Sequence, residues 1–119
     1  MKKVGIIVGS VRPNRRSMQV ANWLKVQLKK STKVQFDIID LKEVNLPMMD
    51  EPKIPYLGLY VHEKTRKWSE LVQSYDGFIF VFPQYNWGYP AVLKNAIDYL
   101  GKEWQGKPVS LVTFGGHGG

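Results

Sequence analysis

The run Phe78-Ile79-Phe80-Val81-Phe82 constrains the fold of this chain more than any other feature. Its five consecutive apolar residues offer no polar face to water. That is the pattern of a strand buried on both sides within a parallel sheet. A loop follows the run, and a helix-like stretch then begins at Ala91. Because strand, loop and helix form the repeating unit of α/β proteins, the run predicts that fold class.

The rest of the chain repeats this alternation. Short apolar stretches predict further strands, and apolar residues spaced by four predict helices. Ser17 is expected to cap a first helix that buries Val20, Leu24 and Leu28. The predicted order is strand 4–8, helix 17–30, strand 34–39, loop 44–60, helix 62–74, strand 77–82, helix 90–101 and strand 108–114. Such alternation predicts one domain with a parallel sheet and helices on both faces.

Composition limits the functional class. The 119 residues, 44% hydrophobic and 23% charged, have the size and composition of one globular domain. No apolar run approaches the roughly 18 residues of a membrane span, and Met1 leads straight into a strand, so neither a membrane segment nor a signal peptide is expected. The absence of cysteine excludes disulfides and thiolate nucleophiles and favours a cytoplasmic location. A net charge of +7 indicates an anionic partner, either a nucleic acid or an anionic cofactor or substrate.

A polar turn at residues 9–17 joins the first predicted strand to the first helix. Helix N-termini attract anions, Ser10 and Ser17 add hydroxyl donors, and Arg12 adds a planar fork suited to phosphate. The glycine spacing matches neither the dinucleotide fingerprint nor the Walker P-loop. The turn therefore indicates a phosphate site, and the alternative is an ordinary polar loop capped by Ser17. The neighbouring Arg15 and Arg16 are expected to contribute less to that phosphate site.

Two further loops follow strands in the prediction. The first, at 83–90, is rich in rings and amides, and its Tyr85 and Trp87 can stack on a flat ligand or form a dimer interface. The second, Gly115-Gly116-His117-Gly118-Gly119, lets backbone N–H groups approach a ligand closely, whereas a lone His such as His117 in a flexible loop is more often incidental. Because the carboxyl ends of parallel strands meet at one edge of the sheet, the three loops outline a site for a flat ring joined to a phosphate.

These motifs resemble those of the NADPH-dependent FMN reductase family, which includes quinone, chromate and azo-dye reductases. The matching segments are the Gly9-Ser10-Val11-Arg12 turn with Ser17, the stretch from Leu46-Pro47 to Asp50-Glu51-Pro52, the run from Pro83 to Asp98, Trp104 with Gly106-Lys107-Pro108, and the glycine-rich close. The resemblance implies a flavodoxin-like α/β/α sandwich with four parallel strands here in the order 2-1-3-4. It also implies non-covalently held FMN, NADPH or NADH as electron donor, and a homo-oligomer, either a dimer or a tetramer.

The resemblance also implies roles for individual residues. It assigns the FMN phosphate to Ser10, Arg12, Ser17, Met18 and Gln19, and the isoalloxazine ring to Pro83, Gln84, Tyr85 and Asn86, with Gly115 and Gly116 near the pyrimidine edge. Many relatives have Glu where Gln84 stands, so here a negative charge is replaced by a neutral amide. Arg15 and Arg16 are candidates for the 2′-phosphate of NADPH. No residue is assigned a catalytic acid or base role, and no metal site is expected.

Family members continue with a further helix, a fifth strand and a last helix, so the chain is expected to be a C-terminally truncated domain whose strand 108–114 lies at an unprotected edge.

The implied activity passes a hydride from NAD(P)H to flavin N5 and then reduces quinones, free flavin, azo compounds or metal oxyanions. One alternative is a one-electron carrier of the flavodoxin type, which the charge of +7 disfavours. The other is a non-enzymatic FMN-binding or regulatory module. The favoured interpretation includes no nucleic acid and no membrane partner.

Overall fold

A computed structural model describes residues 1–30 and 33–119. The strands are β1 (Lys3–Val8), β2 (Gln35–Asp40), β3 (Gly77–Pro83) and β4 (Val109–Phe114). The helices are α1 (Ser17–Lys29), α2 (Leu41–Val44), α3 (Glu63–Gln73) and α4 (Ala91–Asp98), with short 3₁₀ turns at Pro55–Leu57 and Lys102–Trp104. All three strand pairings are parallel, and the order β2-β1-β3-β4 confirms the expected 2-1-3-4 sheet.

The apolar run forms the centre of the sheet because both of its faces are covered. Phe78, Phe80 and Phe82 pack in the core on the side of α3 and α4. Val81 packs with Ile6, Val8 and Ala21 on the opposite side, where α1 lies. Alternate side chains along a strand point to opposite faces, so an uninterrupted apolar run is what two helical layers require.

Several predicted boundaries differ from the observed ones. Pro90 immediately precedes α4 instead of being its first residue, and α4 ends at Asp98, before the predicted Gly101. The predicted loop 44–60 contains a 3₁₀ turn, and Val44 ends the short helix α2. Val20 and Leu24 of α1 are only partly buried, whereas Ala21 and Ser17 are fully buried. These differences arise because tertiary packing, which a periodic pattern does not encode, decides where each element ends.

The strand β4 lies at one edge of the sheet, as expected. Its side chains on the α3 and α4 side are poorly covered: Val109 is 48% exposed and Leu111 is 61% exposed. The described residues contain no helix long and apolar enough to cross a membrane. The interpretation of 1–119 as one truncated domain remains a prediction.

Candidate functional site

Three loops meet at the carboxyl edge of the sheet. The loop after β1 contacts the loop after β3 through Ser10, whose Oγ lies 3.0 Å from the Tyr85 hydroxyl oxygen. The loop after β3 contacts the end of β4 through the Gln84 N–H, which donates to the Phe114 carbonyl oxygen at 2.8 Å. The predicted convergence of the loops is therefore confirmed, and it forms two cavities.

The first cavity has a volume of about 240 Å³ and lies at the N-terminus of α1. Among its lining residues are two serines, two exposed arginines, the last residue of β3 and one residue of the loop 84–90, here called the ring loop: Ser10, Ser17, Arg12, Arg16, Pro83 and Tyr85. A helix N-terminus, hydroxyl groups and guanidinium groups are all donors to anions, and no carboxylate lines this cavity among the described residues. The cavity can therefore hold a phosphate group.

Ser17 was expected to cap α1, and that expectation is wrong. Arg16 occupies the N-cap position with helical angles (φ −83°, ψ −19°), so Ser17 lies inside the first turn and cannot reach back to cap it. The Ser17 side chain is fully buried, and its Oγ has no hydrogen-bond partner among the residues that the structure describes. A buried hydroxyl without a partner is costly, which fits a position that donates to a bound ligand.

Arg12 and Arg15 lie in the same turn but in different environments. Arg12 is exposed beside the first cavity, and its backbone N–H donates to Ser10 Oγ, with an N–O distance of 3.4 Å. Arg15 is largely buried and forms a two-point ion pair with Asp40, with Nη1–Oδ1 and Nη2–Oδ2 distances of 2.8 and 2.6 Å. Arg15 also lines the first cavity, and its contact with the 2′-phosphate of NADPH remains a prediction. Arg16 remains exposed.

Met18 and Gln19 lie in the first turn of α1, but neither side chain lines the cavity among the described residues. Met18 packs against the core on the α1 side, and Gln19 is exposed. The first N–H groups of an α-helix have no partner within the helix, so the contribution that these two residues can make to an anion comes from the backbone.

The ring loop after β3 forms a tight turn that the sequence analysis did not predict. Tyr85 and Gly88 exchange two backbone hydrogen bonds of 2.9 Å, and the two residues between them have positive φ, 49° at Asn86 and 65° at Trp87. Such values define a type I′-like turn, which usually contains Asn-Gly. A bulky residue rarely adopts this conformation, and such strain concentrates in functional loops.

The second cavity, of about 230 Å³, is lined by residues of the ring loop and the glycine-rich loop: Gln84, Asn86, Trp87, Gly116 and His117. The Trp87 and His117 rings stack at 4.6 Å, so the structure gives His117 a contact that the sequence left open. The two glycines differ. A Cβ on Gly115 would lie 2.9 Å from Gln84 Cβ, whereas one on Gly116 would meet no heavy atom of the described residues within 4 Å. Gly116 therefore leaves space for a ligand.

A third polar region lies away from these loops, in the segment 46–61. Glu51 accepts hydrogen bonds from Val61 N–H at 2.8 Å, His62 N–H at 3.0 Å and Thr65 Oγ1 at 2.7 Å. Burial alone would raise the pKa of Glu51, but these hydrogen bonds outweigh it and lower the pKa below 4.5. The stretch Leu46–Pro52 that carries part of the resemblance is therefore an anchor of the fold.

Glu103 has a similar role beside a larger cavity of about 520 Å³. Its Oε2 accepts from Ser69 Oγ at 2.6 Å and from the Tyr60 hydroxyl at 2.7 Å, and its Oε1 accepts from Gly101 N–H at 3.1 Å. Burial would raise the pKa of Glu103, and these contacts lower it overall. Among the described residues that line this larger cavity, no buried side-chain polar atom lacks a hydrogen-bond partner, in contrast to Ser17.

Comparison with known proteins identifies the family. The model of the NADPH-dependent FMN reductase family matches residues 2–119. The chain is 45% identical over 119 residues to the NAD(P)H-dependent FMN reductase C4B3.06c of Schizosaccharomyces pombe, covering 98% of this chain and 60% of that protein. It is 44% identical over 128 residues to the NAD(P)H-dependent FMN reductase LOT6 of Saccharomyces cerevisiae, covering 98% and 67%.

A solved structure agrees with these relatives. FerB of Paracoccus denitrificans, a flavoenzyme NAD(P)H:(acceptor) oxidoreductase, is 25% identical, with a TM-score of 0.71, and the match covers 95% of this chain and 60% of FerB. The chain therefore spans about 60% of the length of the S. pombe relative and of FerB. With the family match, the two yeast relatives and the converging loops in agreement, the chain belongs to the NADPH-dependent FMN reductase family.

Proposed function

We propose that this chain binds FMN and acts in an NAD(P)H-dependent oxidoreductase that reduces quinones, free flavin, azo compounds or metal oxyanions. One observation carries the proposal: Ser17, whose buried Oγ has no described partner, lines a cavity at the N-terminus of α1, beside Arg12. Buried polar atoms normally have partners, and a phosphate oxygen is the acceptor that this surrounding favours.

The phosphate half of the proposed site uses several kinds of donor. Ser10 and Ser17 donate from their hydroxyl groups, Arg12 contributes its positive charge, and Met18 and Gln19 contribute backbone N–H groups at the start of α1. Charge-assisted hydrogen bonds to phosphate are about twice as strong as neutral ones, so Arg12 is expected to contribute the largest share. Tyr85 holds Ser10 from the opposite side of the cavity.

The ring half of the proposed site uses the ring loop and the glycine-rich loop. Pro83 and Tyr85 form one wall, and Gln84 and Asn86 present amides to the polar edge of the ring. Gly115 lets the chain pass close to Gln84, and Gly116 leaves room for the pyrimidine edge. Bound FMN would supply the electron chemistry by accepting a hydride from NAD(P)H at N5 and passing electrons to the acceptor. The residues of the chain orient the cofactor and set its electrostatic environment.

A one-electron carrier is the alternative that the charge distribution disfavours. Arg12 and Arg16 are exposed beside the first cavity, and the chain carries a net charge of +7. Carriers of the flavodoxin type dock their partners through an acidic surface around the flavin, whereas exposed arginines favour an anionic substrate such as NAD(P)H.

The first experiment is the visible spectrum of the purified protein, in which flavin bands near ~375 and ~450 nm are expected. The second is stopped-flow mixing with NADPH, in which those bands should bleach directly. A colourless protein that cannot be reconstituted with FMN contradicts the cofactor proposal. A yellow protein that NADPH does not reduce supports the carrier alternative.

The proposal includes a homo-oligomer, a dimer or tetramer, and a cytoplasmic location. The lack of cysteine supports the location. Exposed apolar side chains support the assembly: Leu111 on β4, and Ile54, Leu57, Leu59 and Val61 in the segment 46–61, are all more than half exposed. Sedimentation at low micromolar concentration tests it, and a well-folded monomer with a sharp unfolding transition would contradict it.

A further inference from the structure

A largely buried ion pair borders the proposed phosphate site, and its arginine, Arg15, is among the residues that line the first cavity. Arg15 and Asp40 have side chains only 11% and 9% exposed, and they meet through two hydrogen bonds of 2.8 and 2.6 Å. Arg15 belongs to the loop after β1, whereas Asp40 ends β2. Asp40 Oδ1 also accepts from Lys42 N–H at 3.0 Å, which caps α2. The pair therefore joins the ends of two neighbouring strands.

The pair also holds the backbone of the phosphate loop. Arg15 Nη1 donates to the Ser10 carbonyl oxygen at 2.8 Å, in addition to its contact with Asp40. The Ser10 side chain in turn meets the Tyr85 hydroxyl group at 3.0 Å. These contacts form a continuous chain, Asp40–Arg15–Ser10–Tyr85, across the carboxyl ends of β2, β1 and β3. Ser10 is thus held by its carbonyl oxygen on one side and by its hydroxyl group on the other.

Stability alone does not explain such a pair. Removing two charges from water costs about as much as their attraction returns, and apolar residues of similar volume often serve as well or better. A buried pair has a clearer use when its geometry fixes something else, and a bidentate arginine provides a rigid, directional anchor. Here the anchored group is the Ser10 carbonyl, two residues before Arg12 in the same turn.

We infer that Arg15 and Asp40 are positioning residues that hold the Ser10–Arg12 turn in its phosphate-binding conformation, and so determine the preference for FMN over unphosphorylated riboflavin. The inference rests on the proposed function. Arg15 acts through Ser10, because its guanidinium group is occupied by Asp40 and by the Ser10 carbonyl. The direct contacts to phosphate are left to Arg12, Ser10 and Ser17.

The principal test is Arg15→Lys, which keeps the charge and removes the rigid fork. One ammonium group cannot reproduce two parallel bonds to Asp40 together with a bond to the Ser10 carbonyl. The FMN-to-riboflavin affinity ratio, measured by fluorescence titration, should fall about tenfold or more, the loss expected for displaced charge-assisted hydrogen bonds. Riboflavin affinity itself should change by no more than about twofold, the usual effect of a change outside the contact surface.

A second measurement does not depend on flavin. Amide hydrogen exchange of the ligand-free protein should become faster in the segment 9–16 of Arg15→Lys and remain unchanged in β3. A double variant, Arg15→Gln with Asp40→Asn, covers the case in which the single variant does not fold, because it leaves no unpaired buried charge and Asn is still a good N-cap. It should show the same loss of preference for FMN.

The control is Asp98→Asn, which breaks the exposed Lys94–Asp98 pair of 2.5 Å on α4 and should leave the ratio unchanged. If both Arg15 variants retain the wild-type ratio, or if exchange in 9–16 is unaffected, the positioning role is overturned. A wild-type protein with no preference for FMN overturns the proposed phosphate site itself. That outcome is recognised before any variant is measured, so the two failures are distinguishable.

Discussion

Two buried polar regions of this molecule differ in whether their polar side-chain atoms have hydrogen-bond partners. The first region is the anchor around Glu51 and Glu103. Each of these two carboxylates accepts three hydrogen bonds. In the first cavity, Ser17 is more deeply buried than either glutamate, but its Oγ has no partner within the described residues. Both regions contain polar residues in the sequence. Only the pattern of partners separates a region that holds the fold together from one that is prepared for a ligand.

The physical reason is the asymmetry of hydrogen-bond energies. A satisfied buried bond contributes about 1 kcal/mol, whereas an unsatisfied buried group costs about 1–3 kcal/mol. Substitutions in the anchor should therefore lower stability and leave ligand binding intact. Substitutions in the cavity should weaken ligand binding and leave the ligand-free protein as stable as before, or more stable.

Glu51→Ala should produce the largest effect. It leaves two backbone N–H groups and the Thr65 hydroxyl group without their acceptor, and each hydrogen bond to a charged group is worth about 1.5–3 kcal/mol, so the loss of three should exceed that of any single contact. Urea unfolding measures the loss. Glu63→Ala is the matched control, because Glu63 is exposed and its ion pair with Arg66 should be worth less than about 1 kcal/mol. Equal losses in the two variants would remove Glu51 from the anchor.

Arg12→Ala should weaken FMN binding by roughly 1.5–3 kcal/mol, about 10- to 150-fold, because a charge-assisted contact to phosphate is lost. Riboflavin has no phosphate, so its affinity should not change, and neither should the unfolding free energy. Fluorescence titration of both flavins measures this, with Arg66→Ala as an arginine control outside the site. Equal losses for the two flavins would mean that Arg12 does not contact the phosphate.

Two buried serines provide the sharpest form of the comparison. Ser17→Ala removes a hydroxyl group without a described partner, so the ligand-free protein should keep its stability or gain up to about 1 kcal/mol, while FMN binding weakens by about 1 kcal/mol. Ser69→Ala removes a donor to Glu103, so it should lower stability by about 1 kcal/mol or more and leave FMN binding unchanged. The comparison fails if both serines affect stability in the same direction.

The dependence of stability on pH should be the smallest effect. The pKa values of Glu51 and Glu103 lie below 4.5 in the folded protein, because hydrogen bonds to the carboxylates outweigh burial. Their contribution is therefore fully present above about pH 5 and is lost as the pH falls through the folded pKa values. Unfolding curves measured between about pH 6 and pH 3 should show a decline that Glu51→Gln makes shallower. An unchanged slope in that variant would contradict the anchor role of Glu51.

The regular elements were predictable because each depends on local patterns. The apolar run 78–82 predicted a buried central strand, and the spacing of apolar residues predicted α1 and α3. The converging loops followed from a general property of parallel sheets. The N-cap assignment of Ser17 failed because the sequence does not show whether the helix begins before or after this residue. In the structure the N-cap is Arg16, so Ser17 lies inside the helix and its hydroxyl group is buried instead of capping the N-terminus.

The sequence by itself determined the α/β class, the edge of the sheet at which the site forms, and the residue types available there. Those features depend on periodicity and on strand direction, which neighbouring residues encode. The tertiary structure decided which polar groups meet. Arg15 and Asp40 are separated by a helix and a strand, and only the pairing of β1 with β2 brings their loops together. Whether a buried polar group is satisfied depends on such long-range contacts, so only the folded chain distinguishes the satisfied Glu51 from the unpartnered Ser17.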